Sequence, residues 1–343
     1  MVLKMSKKIL SLFIILLLTL GLISGCGVSN PISQSGFYFD TVITVTLYDA
    51  SKESALKGCF DLAEQYESYF SNTLPDSDIS KINAAGGAPV TVHEETIELL
   101  QKGISYGKLS DGAFDITIGK LSDLWDISLK ALLEETDASM VPSESEIAEA
   151  LSTVDYTCIK IDGNEVSLTN PDAKIDLGGI AKGYIADKMK EYLTEQGVES
   201  ALINLGGNVL TVGEKPDGSP FTIGIQYPFK EDGSSIASVK VTDETVVSSG
   251  IYERYFEVED TLYHHILDPH TGYPYDNELL GVTIVTRDSV DGDALSTICF
   301  ALGLEKGMAF IEALDGTEAL FITEDYELHT TSGMGTEVPF QKL

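Results

Sequence analysis

The segment Asp176-Leu177-Gly178-Gly179-Ile180-Ala181-Lys182-Gly183-Tyr184 constrains this chain more than any other stretch. A short apolar strand, Lys174-Ile175 with Asp176 at its end, runs into a double-glycine turn and then into an amphipathic helix, Ile180 to Gln196, stopped by Gly197. Glycines let backbone N–H groups approach a ligand closely, and a helix N-terminus favours anions. Lys182 lies one turn into that helix, within reach of a phosphate, and Asp176 adds a carboxylate at the same mouth. The segment therefore reads as a phosphate site, with or without a metal. Its spacing is neither Walker A nor G-x-G-x-x-G, so an ordinary strand–turn–helix connection remains the competing reading.

Around this segment the apolar periodicity alternates between helix and strand without strict β-α-β order, which predicts an α+β fold. Phe37 to Tyr48 reads as one strand, Lys52 to Phe70 as a helix, and Ser71 to Ala88 as a loop. Helices are expected at Glu94–Ser110, Leu121–Trp125 and Ser143–Leu151, the last opened by a Ser-x-x-Glu capping pattern. A hairpin over Tyr156–Leu168 turns at Asp162-Gly163. Strands follow at Ser200–Leu205, Asn208–Val212, Phe221–Gln226, Ser238–Val241, Glu244–Ser248, Arg254–Val258, Tyr263–Leu267 and Val282–Thr286. Two further helices, from near Asp291 and from Leu304 to Leu314, precede strands at Ala319–Thr323 and Glu327–Thr330.

The N-terminus has a different character. Lys4, Lys7 and Lys8 precede an apolar run from Ile9 to Ile23, too short to span a bilayer but ordered like a secretory signal. It closes on Leu22-Ile23-Ser24-Gly25-Cys26, which is similar to the lipobox of bacterial lipoproteins. Residues 1–25 then read as a signal peptide, Cys26 as a lipidated (palmitate-bearing) N-terminus, residues 26–36 as a tether, and residues 37–343 as the folded part. The formal charge is −32, and loss of three lysines with residues 1–25 takes it to −35. Such a surface repels nucleic acid and anionic headgroups. Any polyanionic ligand must be held by local devices, namely a divalent cation, a few placed cations and helix N-termini. Cys59, Cys158 and Cys299 form no C-x-x-C pair, so neither a disulfide framework nor a zinc cluster is indicated.

Other segments carry chemistry. In Asp291-Gly292-Asp293-Ala294-Leu295-Ser296-Thr297, at a helix start, Asp293 and Thr297 lie four apart on one face as hard-oxygen ligands suited to Mg²⁺, unless the acid is only a cap. His264 and His265 sit on a strand, where neighbours face opposite ways, so they cannot serve one site equally: one could face a ligand as a proton acceptor while the other packs or faces solvent. Glycine turns recur at Asn204-Leu205-Gly206-Gly207-Asn208 and Ser248-Ser249-Gly250. Another, Ser110 to Asp115, offers Phe114 as an aromatic suited to stacking on a flat ring.

Taken in order, these segments resemble the ApbE family, the FAD:protein FMN transferases, over about residues 37 to 325. The likeness rests on Gly112-Ala113-Phe114-Asp115, the 176–184 segment, Ile203 to Gly207, Ser249-Gly250-x-Tyr252-Glu253-Arg254, His265 to Gly272, and Asp293-Ala294-x-x-Thr297. It implies a two-lobed, T-fold-like α+β architecture with a ligand cleft between the lobes. It also implies a Mg²⁺-dependent enzyme that splits FAD at its pyrophosphate, passes FMN to a Thr or Ser hydroxyl of a partner protein and releases AMP. Partners implied are flavin-carrying subunits of Rnf and Na⁺-pumping quinone reductase (Nqr) type or related domains, reached from a lipid anchor on the extracytoplasmic face of a bacterial cell membrane.

By motif position, Asp293, Thr297 and the Gly179 carbonyl would hold Mg²⁺. Phe39, Thr73, Ala113, Phe114, Asp115, Asp176, Lys182 and Ile266 would contact FAD, and His265 and Lys182 would serve the chemistry. The chain departs from the family pattern at Phe39-Asp40-Thr41, in place of Met-Gly-Thr, at Thr73, where many members carry an aromatic residue, and at Ile251, often acidic. Two alternatives share these features: an FAD pyrophosphatase using water as acceptor, and a lipoprotein that binds flavin without turnover.

Overall fold

The computed structural model describes residues 30–343, apart from 134 and 231. Residues 1–29, with the expected signal peptide, Cys26 and the first part of the tether, lie outside the described residues. The described chain opens with β1 (Ile32–Tyr38) and β2 (Thr41–Leu47), then α1 (Ser54–Phe70) and α2 (Asp78–Ala84). β3 (Val90–Thr91), α3 (Glu94–Leu109), α4 (Gly119–Trp125), α5 (Ile127–Lys130), α6 (Glu144–Leu151), β4 (Ile159–Asp162) and β5 (Glu165–Leu168) follow. The central stretch is α7 (Ala181–Glu195), β6 (Ser200–Leu205), β7 (Asn208–Gly213), β8 (Phe221–Gln226), β9 (Ser235–Val241), β10 (Thr245–Gly250), β11 (Tyr255–Val258) and β12 (Thr261–His264). β13 (Leu279–Thr286), α8 (Ser289–Ile311), β14 (Glu318–Thr323), β15 (Leu328–Thr330) and β16 (Phe340–Lys342) complete it.

The frame is an antiparallel eight-stranded sheet in the order β1-β2-β6-β7-β10-β13-β14-β15. Because side chains alternate along a strand, each strand feeds two faces. Ile43, Val45, Ile203 and Ile284 go to one face, where they meet Cys59, Ile185 and Ile298 of the helices α1, α7 and α8. Val246, Val285, Leu320 and Ile322 go to the other, against Phe221 and Val239 of the small sheet β16-β9-β8. β13 is covered on both sides and is buried along its whole length, which is why Leu279 to Thr286 carries little polar character. A separate cluster joins Leu121 and Trp125 of α4, Ile147 of α6 and Phe256 and Val258 of β11, and the Trp125 indole donates to the Gly272 carbonyl at 2.8 Å. The expected α+β fold is the one observed.

Several boundaries differ from the sequence reading for local reasons. Phe37 to Tyr48 is a hairpin and not one strand: Phe39 and Asp40 take left-handed φ of 52° and 53° and close a two-residue turn between Tyr38 and Thr41. β1 starts at Ile32, so regular structure begins inside the segment read as tether. The loop over Ser71–Ala88 contains α2, whose N-cap Ser77 accepts from Ser80 N at 3.0 Å. Lys174-Ile175 is not a strand; Lys174 makes only an isolated parallel bridge to Ile118. The β4–β5 turn is Gly163-Asn164 and β12 stops at His264, whereas the two expected C-terminal helices are both present, the two parts of α8 meeting at Gly303, whose φ of 74° and ψ of 179° are not helical.

α7 and α8 cross at Gly183. A Cβ there would run into the Ser289 carbonyl and come within 2.6 Å of Val290 Cα. The helices cap each other at this crossing. Asp187 of α7 accepts from the N–H groups of Ser289 and Val290 at 2.7 and 2.9 Å, and Asp293 of α8 accepts from Gly183 N at 2.9 Å. Each carboxylate satisfies donors that a helix start leaves without partners. Gly183→Ala should therefore force the helices apart and destabilise the fold by about 1–3 kcal/mol, the range for overpacked interiors. A lowered urea midpoint with an unchanged slope checks this, and an unchanged midpoint would contradict it.

Candidate active site

A cavity of about 430 Å³ lies against the α7–α8 crossing. Its walls come from the first turn of α7, from α8, from the β6–β7 turn, from β10, and from the segments that follow β1, α1, α3, α4 and β12. Each residue assigned above to FAD, Mg²⁺ or the chemistry reaches it: Phe39, Thr73, Ala113, Phe114, Asp115, Asp176, Gly179, Lys182, His265, Ile266, Asp293 and Thr297.

Asp293 is buried in the cavity wall. It is 4% exposed, and its carboxylate faces Lys182 Nζ at 3.2 Å while also accepting from Gly183 N. Burial raises its pKa, and the Lys182 charge and the Gly183 N–H oppose that rise. Lys182 Nζ also donates to the Gly178 carbonyl at 3.1 Å, so the cation is poised between the glycine turn and α8. In a continued helix the Gly183 N–H would bond the Gly179 carbonyl; it bonds Asp293 instead. The Gly179 oxygen is thereby left for another partner beside Asp293. Thr297 stands one turn further along α8, its hydroxyl 3.4 Å from that of Ser249, which in turn lies 2.7 Å from the Ser296 hydroxyl. Hard oxygens of three kinds, carboxylate, hydroxyl and carbonyl, thus line one side of the cavity. Among the described residues there is no cluster of three or more His, Cys, Asp or Glu that could hold a metal. A cation here would rely on this mixed set and on oxygens of its ligand, as Mg²⁺ commonly does.

The glycine turn is shaped by its neighbours. Asp176 Oδ1 accepts from Gly178 N at 2.8 Å, and the Asp176 N–H donates to the Ile116 carbonyl at 2.8 Å. Phe114 lies beneath Gly179, where a Cβ would come 3.0 Å from its ring. The ring is 6% exposed and meets Tyr106 edge-on at 6.1 Å. Phe114 therefore supports the turn and does not present a free face, contrary to the stacking role expected of it. Asp115 is likewise turned inward: it accepts from Thr117 N and Oγ1 at 2.7 and 2.6 Å and from Tyr156 N at 2.9 Å. Burial raises its pKa against those bonds. Its carboxylate fixes the loop that carries Ala113.

At the opposite side, Phe39 donates its N–H to Glu67 Oε1 at 2.7 Å, and Thr73 pairs with Ser71 through hydroxyls 3.0 Å apart. The two histidines divide as expected, although His264 is the last residue of β12 and His265 lies just beyond it. His264 packs against Phe300, and its Nε2 lies 2.9 Å from the Tyr275 carbonyl. His265 faces the cavity, its Nδ1 3.3 Å from the Arg254 carbonyl. Asp187 has no role in the sequence reading; it lies within the helix expected there, and only its tertiary neighbours show that it caps α8.

Known proteins resemble this chain over most of its length. The model of the ApbE family matches residues 39–321, a span that includes every cavity residue named above. A FAD:protein FMN transferase of Klebsiella pneumoniae (strain 342) is 38% identical over 303 residues, covering 88% of this chain and 92% of its own. One from Treponema pallidum (strain Nichols) is 34% identical over 322 residues, covering 88% and 87%. Among solved structures, the ApbE protein of Thermotoga maritima MSB8 superposes with a TM-score of 0.79 at 30% identity, covering 88% of this chain and 97% of its own. The apo flavinyl transferase ApbE of Pseudomonas stutzeri gives 0.77 at 29% identity, covering 89% and 96%. With the match running through the glycine turn, the α7–α8 crossing and the histidine strand end alike, this chain belongs to the ApbE family.

Proposed function

We propose that this protein transfers FMN from FAD to a Thr or Ser hydroxyl of a partner protein and releases AMP, with Mg²⁺ as cofactor. The observation that carries the reading is the Asp293–Lys182–Gly179 arrangement, a buried carboxylate and a cation beside a carbonyl freed from its helix, in a chain otherwise unsuited to polyanions. The relatives' names supply the substrate class. The residues present fit Mg²⁺: Asp293, Thr297 and the Gly179 carbonyl would hold it. When bound, it would neutralise charge on the pyrophosphate oxygens.

The chain's own groups do the rest. Phosphoryl transfer needs positioning and charge compensation more than covalent help. Lys182 supplies a positive charge beside Asp293 for the phosphate of the leaving AMP. His265 keeps a proton on Nδ1, directed at the Arg254 carbonyl, which leaves Nε2 as an acceptor for the partner's hydroxyl. Burial, with help from the Arg254 charge, lowers the His265 pKa to about 3, so its ring is neutral at working pH. The lipobox-like Leu22 to Cys26 supports an anchor on the extracytoplasmic membrane face. Flavin-carrying subunits of Rnf or Nqr type are the partners such a position would serve.

The test is incubation with FAD, Mg²⁺ and a flavin-accepting domain, following in-gel flavin fluorescence and AMP together. A fluorescent acceptor with stoichiometric AMP is expected. AMP with free FMN and no labelled protein would instead indicate a pyrophosphatase, and FAD binding without AMP a binding protein. Asp293→Ala should lower Mg²⁺-dependent turnover on the order of 10²–10³-fold, since such metal contacts are worth several kcal/mol; unchanged turnover would remove the metal assignment. The His265 ring, followed by heteronuclear NMR, should stay neutral from pH 8 down to pH 5. A titration near the ordinary histidine value would contradict the buried, Arg254-facing placement.

A further inference from the structure

Asp126, Ile127 and Ser128 form part of the cavity wall, and α5 starts there. Its helical bonding runs on past Lys130: Ala131 N donates to the Ile127 carbonyl at 2.8 Å, and Leu132 N and Leu133 N donate to the carbonyls of Leu129 and Lys130, each at 3.1 Å. The inner face of this turn is fixed. Ile127 is buried in the cluster with Trp125 and Phe256, and Lys130 Nζ donates to the Met140 carbonyl at 2.8 Å while lying over the Phe256 ring. The outer face is apolar. Leu129, Leu132 and Leu133 stand at i, i+3 and i+4, and are 57%, 79% and 50% exposed. Three leucines side by side on a fixed turn make the kind of exposed apolar patch that marks an interaction site.

Arg254 ties this patch to the chemistry. Its Nη1 donates to Ser128 Oγ at 3.4 Å, and its carbonyl accepts from His265 N at 3.2 Å and faces His265 Nδ1 at 3.3 Å. Leu129 directly follows Ser128, so two residues separate the patch from the cavity-facing histidine. Phe37 and Val42 are also exposed and flank the cavity-lining turn at Phe39–Thr41. Among the described residues, however, no hydrogen bond joins that hairpin to the His265 segment.

We propose that Leu129, Leu132 and Leu133 are the docking surface for the acceptor protein, which rests an apolar patch of its own on them while its Thr or Ser hydroxyl enters the cavity toward His265. This inference deepens the flavin-transfer reading above and rests on it. A small molecule can reach His265 without touching the rim. A hydroxyl carried on a folded protein cannot, because the protein around it must cover part of the mouth. α5 is a part of the mouth that is at once apolar, fixed and joined to the histidine. Apolar contact also suits a chain whose formal charge of −32 repels acidic partners at long range. A bilayer fits the patch less well. Asp40 and Asp126 border the same cavity, exposed and, among the described residues, without a hydrogen bond or ion pair to their carboxylates, and anionic headgroups would repel them.

The experiment uses the full chain with FAD, Mg²⁺ and a purified flavin-accepting domain of Rnf type. Wild type is compared with the triple variant Leu129→Ser, Leu132→Ser, Leu133→Ser, and with Leu343→Ser, an exposed leucine beside the small sheet. The triple variant should raise the KM for the domain by about tenfold or more, as loss of a central apolar contact does at protein interfaces. Its maximal rate should stay within about twofold of wild type, with FAD affinity, read by quenching of flavin fluorescence, and the urea midpoint unchanged. Leu343→Ser should alter none of these. A photoreactive benzophenone side chain in place of Leu132 gives a reading independent of kinetics and of the triple variant's folding, and it should crosslink to the domain. An unchanged KM in a folded triple variant would overturn the proposal. So would crosslinking to lipid or to a second copy of this chain with none to the domain. Absence of labelled domain and of AMP with wild type would instead bring down the flavin-transfer reading itself.

Discussion

The site depends on two helices that cap each other. Asp187 reaches from α7 to the first N–H groups of α8, and Asp293 returns from α8 to the third residue of α7. A helix start leaves four donors without partners, and neighbouring turns or water ordinarily satisfy them. Here each helix supplies the other, which locks their relative position at the glycine where they touch. The same bond that caps α7 frees the Gly179 carbonyl and brings Lys182 against Asp293. Structure and site chemistry thus share one set of atoms.

That arrangement answers the electrostatic problem set by the sequence. A chain with a formal charge of −32 repels polyanions at long range, so recognition must happen at contact. The cavity is itself bordered by acids, but most of those carboxylates are consumed by backbone N–H groups, hydroxyls or lysines. Internal pairing removes their charge from the ligand's view more effectively than distance would. Lys182 remains the cation nearest the glycine turn, held by Asp293 and the Gly178 carbonyl until a ligand competes for it.

Much of this was legible in the sequence, because local chemistry governs it. Ser143 opens α6 with the capping box that its spacing predicts, and His264 and His265 divide between packing and cavity as expected, although β12 ends at His264. The failures occur where tertiary contacts decide. The β1–β2 turn lies in Phe39-Asp40, with no glycine to mark it, so alternation runs through from Phe37 to Tyr48 unbroken. α2 is seven residues long and sits between Pro75 and Gly86-Gly87, so its period is too short to stand out. Phe114 looked like a stacking ring because sequence cannot say which face is already occupied; the structure spends it on Gly179 and Tyr106. Asp187 carried no signal of its own, since only the tertiary crossing brings it to the start of α8.

The most direct test of this account is crystallographic: soaking with FAD and Mn²⁺, a hard octahedral surrogate for Mg²⁺, and locating the metal by anomalous scattering. The account predicts a peak at the α7–α8 crossing, liganded by Asp293, Thr297 and the Gly179 carbonyl, with Lys182 turned from Asp293 toward the phosphates. A peak elsewhere in the cavity, or FAD bound with Lys182 still paired to Asp293 and no metal at the crossing, would contradict it.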